Sequence, residues 1–325
     1  MDIVGIDIAK AKFDVALLVG ERIRQSAFTN TEAGFQQFLL WLAKHRSEPS
    51  LLLHACMEAT GNWGLDLADA LHANGVRVSV INPARVKAYG ASELARNKTD
   101  RLDAALIARF CRAQTPTAWT PPAPHLRELR ELIRRCDALK ATRVQELNRQ
   151  KAGFASAAVA ASIAAHLDWL DRQIEAVFTE VRRLVEADPA LSKNLGLVRS
   201  ITGFGETSAA ILLAELPNIA AFTPKALAAF AGLSPSEHSS GSSRRGTAGI
   251  SRIGSERLRR TLFMCALSAK RSNKMLAGFV QRMTAAGKPP KVILVAVARK
   301  LLVYAYAVIR TQKPFISSSD AASPA

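Results

Sequence analysis

Ile3-Val4-Gly5-Ile6-Asp7-Ile8-Ala9-Lys10-Ala11-Lys12 lies almost at the start of the chain. Residues 3–8 are an apolar, β-branched run with the length of a buried strand. Asp7 interrupts that run, and a carboxylate inside an apolar strand costs several kcal/mol unless something compensates it. Local hydrogen bonds can do so, and so can a metal ion held on a rigid sheet. The turn Ala9-Lys10-Ala11-Lys12 lacks the Gly and Ser/Thr with which a kinase-type hairpin wraps phosphate, which counts against a kinase.

Working outward, residues 13–19 and 22–28 read as two more strands joined at Gly20-Glu21, an antiparallel meander. Residues 31–44 show helical spacing, with Phe35, Phe38, Leu39 and Leu42 on one face. A strand at 51–57 follows, then a helix at 63–73 ending at Asn74-Gly75. Next come a strand at 76–81, stopped by Asn82-Pro83, and a helix from a Thr99 cap to about residue 112. A meander followed by alternating helix and strand is the order of the ribonuclease H-like fold, which other α/β folds share in part.

Residues 115–124, rich in Pro and Thr, read as a linker. From 126 to 187, Leu129, Leu132, Ile133, Leu139, Val144 and Leu147, then Leu167, Leu170, Ile174, Val177 and Val181, recur at helical spacing. Two long helices are expected, forming a coiled-coil or helical-hairpin arm that either dimerises or packs within the chain. Residues 197–216 read as helix, Gly203-Phe204-Gly205 turn, helix. That is either a helix-hairpin-helix bringing backbone N–H groups to phosphate or an ordinary glycine-turn pair. A Ser/Gly/Arg loop at 234–251, three helices and a Ser-rich tail expected to be disordered finish the chain. The expected organisation is an α/β domain over 1–118, a helical arm over 125–188, a mainly helical domain over 189–315 and a tail over 316–325.

Hydrophobic residues make up 49% of the 325, so the chain folds, and the formal net charge of +17 points to a polyanionic partner such as nucleic acid. From residue 221 onward there are 17 Lys and Arg against three acids, Glu237, Glu256 and Asp320. The surplus is therefore concentrated rather than spread as a solubility charge would be. Cys56, Cys111, Cys136 and Cys265 show no metal-type spacing and read as reduced thiols of a cytoplasmic protein. No His or Cys cluster is expected to form a zinc site. No signal peptide is expected, since Asp2 and Asp7 break the N-terminal apolar run. Residues 292–309, interrupted by Arg299 and Lys300, read as too short and too charged to span a bilayer, so no membrane partner is expected.

Three further acids stand where Asp7 does, at element ends. Glu58 closes the apolar strand 51–57, and Asp100 and Asp103 share one face at the start of a helix. Acids in a first helical turn also favour the helix dipole, so the pair is ordinary in isolation. As a set of four, these hard oxygen donors suit Mg²⁺ or Mn²⁺, which bind through a few carboxylates plus substrate phosphate. Two such ions about 4 Å apart clamp the attacking and leaving oxygens of a phosphodiester.

The stretches Gly5-Ile6-Asp7-Ile8-Ala9-Lys10, Glu58-Ala59-Thr60-Gly61, Val80-Ile81-Asn82-Pro83 and Arg96-Asn97-Lys98-Thr99-Asp100 with Asp103-Ala104 resemble the DEDD transposases of bacterial insertion sequences, the recombinases described as bridge-RNA-guided. Phe230-Ala231-Gly232-Leu233-Ser234-Pro235, Arg257-Leu258-Arg259-Arg260-Thr261-Leu262 and residues 288–300 look like the same family's C-terminal domain. The resemblance spans nearly the whole chain. It implies a RuvC-like N-terminal domain whose acidic tetrad falls on Asp7, Glu58, Asp100 and Asp103.

Within Ser239-Ser240-Gly241-Ser242-Ser243-Arg244-Arg245-Gly246, the residues alone allow a flexible loop. The resemblance implies a nucleophile at the serine before the glycine, Ser240, with Ser239 one register away and Ser242 and Ser243 less favoured. His238 is either a base or a solvated loop residue. A serine attacking a phosphodiester conserves bond energy in a phosphoserine, and Arg244 and Arg245 can stabilise the charged phosphorus centre. Lys10, Arg96, Lys98, Arg252, Arg257, Arg259, Arg260 and Lys291 are further candidates for tracking nucleic-acid backbone. The resemblance implies dimers assembling into a tetramer on donor and target DNA, with a structured guide RNA selecting both by base pairing. Two other readings use the same residues: a metal-dependent junction-resolving nuclease with a structural serine loop, and a non-catalytic nucleic-acid-binding protein.

Overall fold

The computed structural model describes residues 1–48, 52–59, 61, 63–92, 100–236, 239–240, 244–245, 249–250 and 253–316. They form two compact units, Met1–Pro121 and Pro122–Ala325.

The first unit is built on strands β1 (Asp2–Ile8), β2 (Lys12–Val19), β3 (Arg22–Thr29), β4 (Leu53–Glu58) and β5 (Arg77–Ile81), in the order β3-β2-β1-β4-β5. β1, β2 and β3 pair antiparallel, whereas β4 and β5 run parallel to β1. This is the mixed sheet expected from the strand order. Strand alternation gives it two apolar faces. Val4, Ile6, Ile8, Phe13, Val15, Leu17, Ala55 and Met57 form one core with α1 (Glu32–His45) and α2 (Leu65–Ala73). Ile3, Ala16, Leu18, Cys56 and Ile81 form the other, under α3 (Pro83–Ser92) and α4 (Asp100–Gln114).

Local rules account for the helix boundaries. Thr31 caps α1, accepting the Gly34 N–H at 3.3 Å. Gly75, at φ +73°, turns the chain out of α2 into β5. Asn82-Pro83, read as a stop, begins α3: Pro occupies the first helical position, where no N–H is needed, and Asn82 Oδ1 accepts from Ala84 N at 2.9 Å. α4 lies on β1 where the strand has no side chain. A Cβ on Gly5 would stand 2.1 Å from the Ala104 carbonyl oxygen and 2.3 Å from the Ala108 nitrogen.

The segment expected to be a linker belongs largely to this unit. Trp119 N donates to the Val78 carbonyl at 2.7 Å, and the Ser79 hydroxyl reaches the carbonyls of Pro116 and Thr117. Proline-rich composition hid an extended segment that ties its main chain to β5.

The second unit is mainly helical. α5 (Pro124–Ala152) and α6 (Ala157–Ala187) pack on one another as a helical hairpin, turning at Gly153 with φ +80°. α7 (Pro189–Arg199) and α8 (Glu206–Glu215) follow, and between them Gly203, at φ +120°, would place a Cβ 2.7 Å from that of Ala269. That glycine is required by close packing within the unit. Then come α9 (Pro224–Phe230), α10 (Glu256–Ser272), α11 (Lys274–Ala285) and α12 (Pro290–Thr311).

At 22 residues α12 is long and apolar enough to cross a bilayer, which corrects the expectation that it is too short. Ile293, Leu294, Val297, Ala298, Leu301, Leu302 and Ala305 are instead buried in the core of the unit. The tail beyond residue 316 lies outside the described residues.

Gly5→Ala is expected to destabilise the first unit by about 3 kcal/mol, because helix backbone and not a flexible side chain has to give way. Chemical denaturation measures this. A wild-type midpoint would show that α4 is not seated on β1.

Candidate active site

Asp7 and Glu58 stand at the carboxyl ends of neighbouring parallel strands. Ile6 pairs with Met57 in that ladder, so the two acids follow side by side, on strands about 4.8 Å apart. Alternation sets Asp7 on the face of Ile3 and Gly5, and Glu58 on the face of Cys56, the face that α4 covers. Asp103 directly precedes Ala104, whose carbonyl rests over Gly5. Asp7, Glu58 and Asp103 are each half-buried. β1, β4 and the first turn of α4 thus bring three acids to one end of the sheet. Asp100 begins α4, and its backbone alone is described.

A fourth acid here was not singled out in the sequence. Asp14 is the antiparallel partner of Asp7 and is 5% exposed. Two carboxylates directly opposite repel each other in a poorly solvated site. Lys12 answers that charge, its Nζ donating to Asp14 Oδ2 at 2.8 Å. The signal was an acid at an inward position of a strand, the same anomaly that marked Asp7.

The β1–β2 turn is fixed beside these acids. Asn30 Nδ2 donates to the carbonyls of Ala9 and Trp63 at 3.1 and 3.0 Å, and Lys10 Nζ lies 5.6 Å from the Trp63 ring centre. Exposed Lys10 therefore stands at the rim of the acidic end. Arg96, Lys98 and the Thr99 cap lie outside the described residues.

One cluster in this unit was not singled out in the sequence. His54, Cys56 and Cys111 are fully buried and bring their Nδ1/Nε2 and Sγ atoms within 4.8 Å of one another. Sequence spacing concealed the cluster because Cys56 on β4 and Cys111 near the end of α4 are 55 positions apart. A hydrogen bond between the two thiols holds Cys111 below the ordinary thiol range, with His54 assisting against burial. The same bond, together with burial, pushes Cys56 up.

In the second unit the Ser/Gly/Arg stretch is a nested antiparallel ladder and not a plain loop. β6 (Pro235–Ser236) pairs with β9 (Gly249–Ile250), and inside it β7 (Ser239–Ser240) pairs with β8 (Arg244–Arg245). Ser240 is the Cα partner of Arg244, and Ser239 of Arg245. Paired Ser and paired Arg carry little apolar signal, so the ladder was not legible from periodicity. His238, Ser242, Ser243 and Arg252 lie outside the described residues.

Among the basic candidates on α10, Arg257 is spent inside the fold. Its Nε meets Asp137 Oδ2 at 2.7 Å and its Nη1 meets Glu215 Oε1 at 3.2 Å, tying α10 to α5 and α8. Arg260 shares Asp137 at 3.1 Å from a more exposed position, and Arg259 buries a guanidinium nitrogen without a hydrogen bond. Lys291 is exposed near the start of α12.

Residues 4–156 match a family profile described as a transposase, the DEDD type of the insertion element IS110, and residues 195–281 match the transposase IS116/IS110/IS902 family. The chain is 33% identical over 319 residues to a pilin gene-inverting protein of Moraxella bovis, covering 96% of this chain and 97% of that one. It is 31% identical over 153 residues to an uncharacterized 43.6 kDa protein of insertion element IS110 from Streptomyces coelicolor, covering 47% of this chain and 36% of that protein. A solved structure, T. thermophilus RuvC in complex with a Holliday junction substrate, is similar at 17% identity and a TM-score of 0.28, covering 37% of this chain and 99% of that chain.

Arg257→Ala is expected to cost about 2 kcal/mol of stability, since it leaves Asp137 and Glu215 poorly solvated and one cation short. Arg260→Ala, at a 61% exposed side chain, is expected to cost under about 0.5 kcal/mol. Urea denaturation of the two variants checks the contrast, and equal losses would count against the internal tie.

Proposed function

The chain belongs to the IS110-type insertion-sequence transposases and is a DNA recombinase; on that premise we propose that it cleaves and rejoins DNA through a serine-linked intermediate, assisted by a cation held at Asp7, Glu58, Asp100 and Asp103. The observation that carries this reading is the adjacency of Asp7 and Glu58 at two parallel strand ends, on the face where α4 brings Asp103.

The donor set fits a hard divalent cation. It is all carboxylate, and Asp7, Glu58 and Asp103 are half-buried, a hard-oxygen set of the kind Mg²⁺ or Mn²⁺ prefers. When bound, such an ion supplies charge neutralisation at the scissile phosphate. The carboxylates orient it, and Lys10 at the rim attracts the DNA backbone.

The covalent step belongs to Ser240. Its hydroxyl oxygen bonds to phosphorus as its proton leaves, and the bridging oxygen of the cut strand departs and takes up a proton. Religation reverses this when a hydroxyl of the exchanged strand attacks the phosphoserine. Cross-strand pairing of Ser240 with Arg244 supports a role for that guanidinium in stabilising the phosphorane charge.

Guidance by a structured RNA and assembly from dimers to a tetramer rest on the family resemblance. Exposed apolar residues along the α5–α6 hairpin, Val144, Phe154, Val159 and Trp169, support the hairpin as a dimerising coiled-coil arm.

Ser240→Ala is expected to abolish both the covalent protein–DNA adduct and strand exchange, read on denaturing gels with donor DNA, target DNA and the element's non-coding RNA. Adducts and exchange that persist would sink the serine mechanism in favour of a water-activating nuclease. Mg²⁺ is expected to raise the thermal midpoint of the wild-type chain and not that of an Asp7→Asn, Glu58→Gln double variant. An equal rise in both would remove the carboxylates from the ion site.

A further inference from the structure

The buried cluster on the α4 face of the sheet has no part in the chemistry above. We infer that His54, Cys56 and Cys111 form a second metal site, selective for a thiophilic divalent cation of the zinc class.

The tautomer of His54 carries the argument. Its Nε2 lies 2.8 Å from the Ser79 hydroxyl oxygen. The single hydroxyl proton of Ser79 is directed to the carbonyls of Pro116 and Thr117, at 3.1 and 2.8 Å. Ser79 therefore accepts from His54, which puts the imidazole proton on Nε2 and the lone pair on Nδ1. Nδ1 is buried without a geometric hydrogen bond, and the imidazole's neighbour is the Cys111 thiol, at best a weak donor. A lone pair without a strong donor in a core bears its desolvation penalty uncompensated, and a cation would satisfy it. Metal-bound histidines characteristically donate their other ring nitrogen to a fixed acceptor, as His54 does.

The remaining donors complete the case. All three residues are 0% exposed, and their candidate ligand atoms lie within 4.8 Å of one another. Zinc–sulfur bonds of about 2.3 Å and zinc–nitrogen bonds of about 2.0 Å set ligand atoms about 3.5–3.8 Å apart in a tetrahedron. A contraction of about 1 Å brings these three donors to bonding distance, and a water would take the fourth corner. Loading transfers one proton from each thiol to solvent, and two thiolates with a neutral imidazole then balance a divalent cation, as an apolar interior demands. Sulfur donors disfavour Mg²⁺, so this site and the carboxylate site take different ions. Bound metal would join β4, which ends in Glu58, to the helix that bears Asp103.

The test is the metal content and absorption spectrum of the full-length chain expressed in cobalt(II)-supplemented medium under reducing conditions. The expected result is one thiolate-bound cobalt per chain, seen as near-ultraviolet sulfur-to-cobalt charge transfer with tetrahedral bands in the visible. The Cys56→Ser, Cys111→Ser variant should lose the thiolate band to background. The Cys136→Ser, Cys265→Ser variant and the Asp7→Asn, Glu58→Gln variant should retain it. A wild-type chain without the band, including one whose Cys56 and Cys111 are joined as a disulfide, overturns the inference whether or not any variant folds. So does a band that survives loss of Cys56 and Cys111. Either failure leaves the carboxylate-based recombinase reading untouched, because that reading stands on Mg²⁺ and DNA adducts.

Discussion

The seating of α4 on β1 at Gly5 is the contact on which the first unit turns. Helix backbone rests against strand backbone with no side chain between, so the helix is fixed in height as well as direction. Ala104, Ala105, Ala108 and Cys111 then fill the interface with small side chains. The cost is a glycine inside a strand, which β-propensity disfavours. In return the first turn of α4 reaches the strand ends that carry Asp7 and Glu58, where a bulkier residue at position 5 would lift it away.

Charge is distributed by the same economy of position. Carboxylates crowd one end of the sheet, where Asp14 is the cross-strand partner of Asp7 and Lys12 pairs with Asp14. The basic surplus of the C-terminal third is smaller in effect than a count of residues implies, because Arg257 is engaged by Asp137 and Glu215. Arg260, though exposed, also meets Asp137, and Lys291 stands exposed near the start of α12.

Much of the first unit was legible because its signals are local. An apolar run broken by Asp7, strand alternation in 13–19, the Thr31 cap and the Asn74-Gly75 stop each act over a few residues. What escaped reading was set by distant partners. Pro83 served as a helix start, Trp119 paired its main chain with β5, and His54, Cys56 and Cys111 met only because α4 lies across the sheet. The Ser/Arg ladder escaped for another reason: its strands are two residues long and polar, below the reach of any periodicity. The acids could be nominated from the sequence by type and position, yet only strand register made Asp7 and Glu58 neighbours.

The bond from Trp119 N to the Val78 carbonyl has a consequence for how the protein behaves in a crowded cell. An open sheet offers two unpaired rims to which foreign strands can add, the usual seed of aggregation. Residues 116–119 occupy the rim along β5, and Arg22 and Arg24 place like charges along the opposite rim at β3. Neither margin of the sheet invites a further strand, so copies of the chain can crowd together without their sheets joining edge to edge.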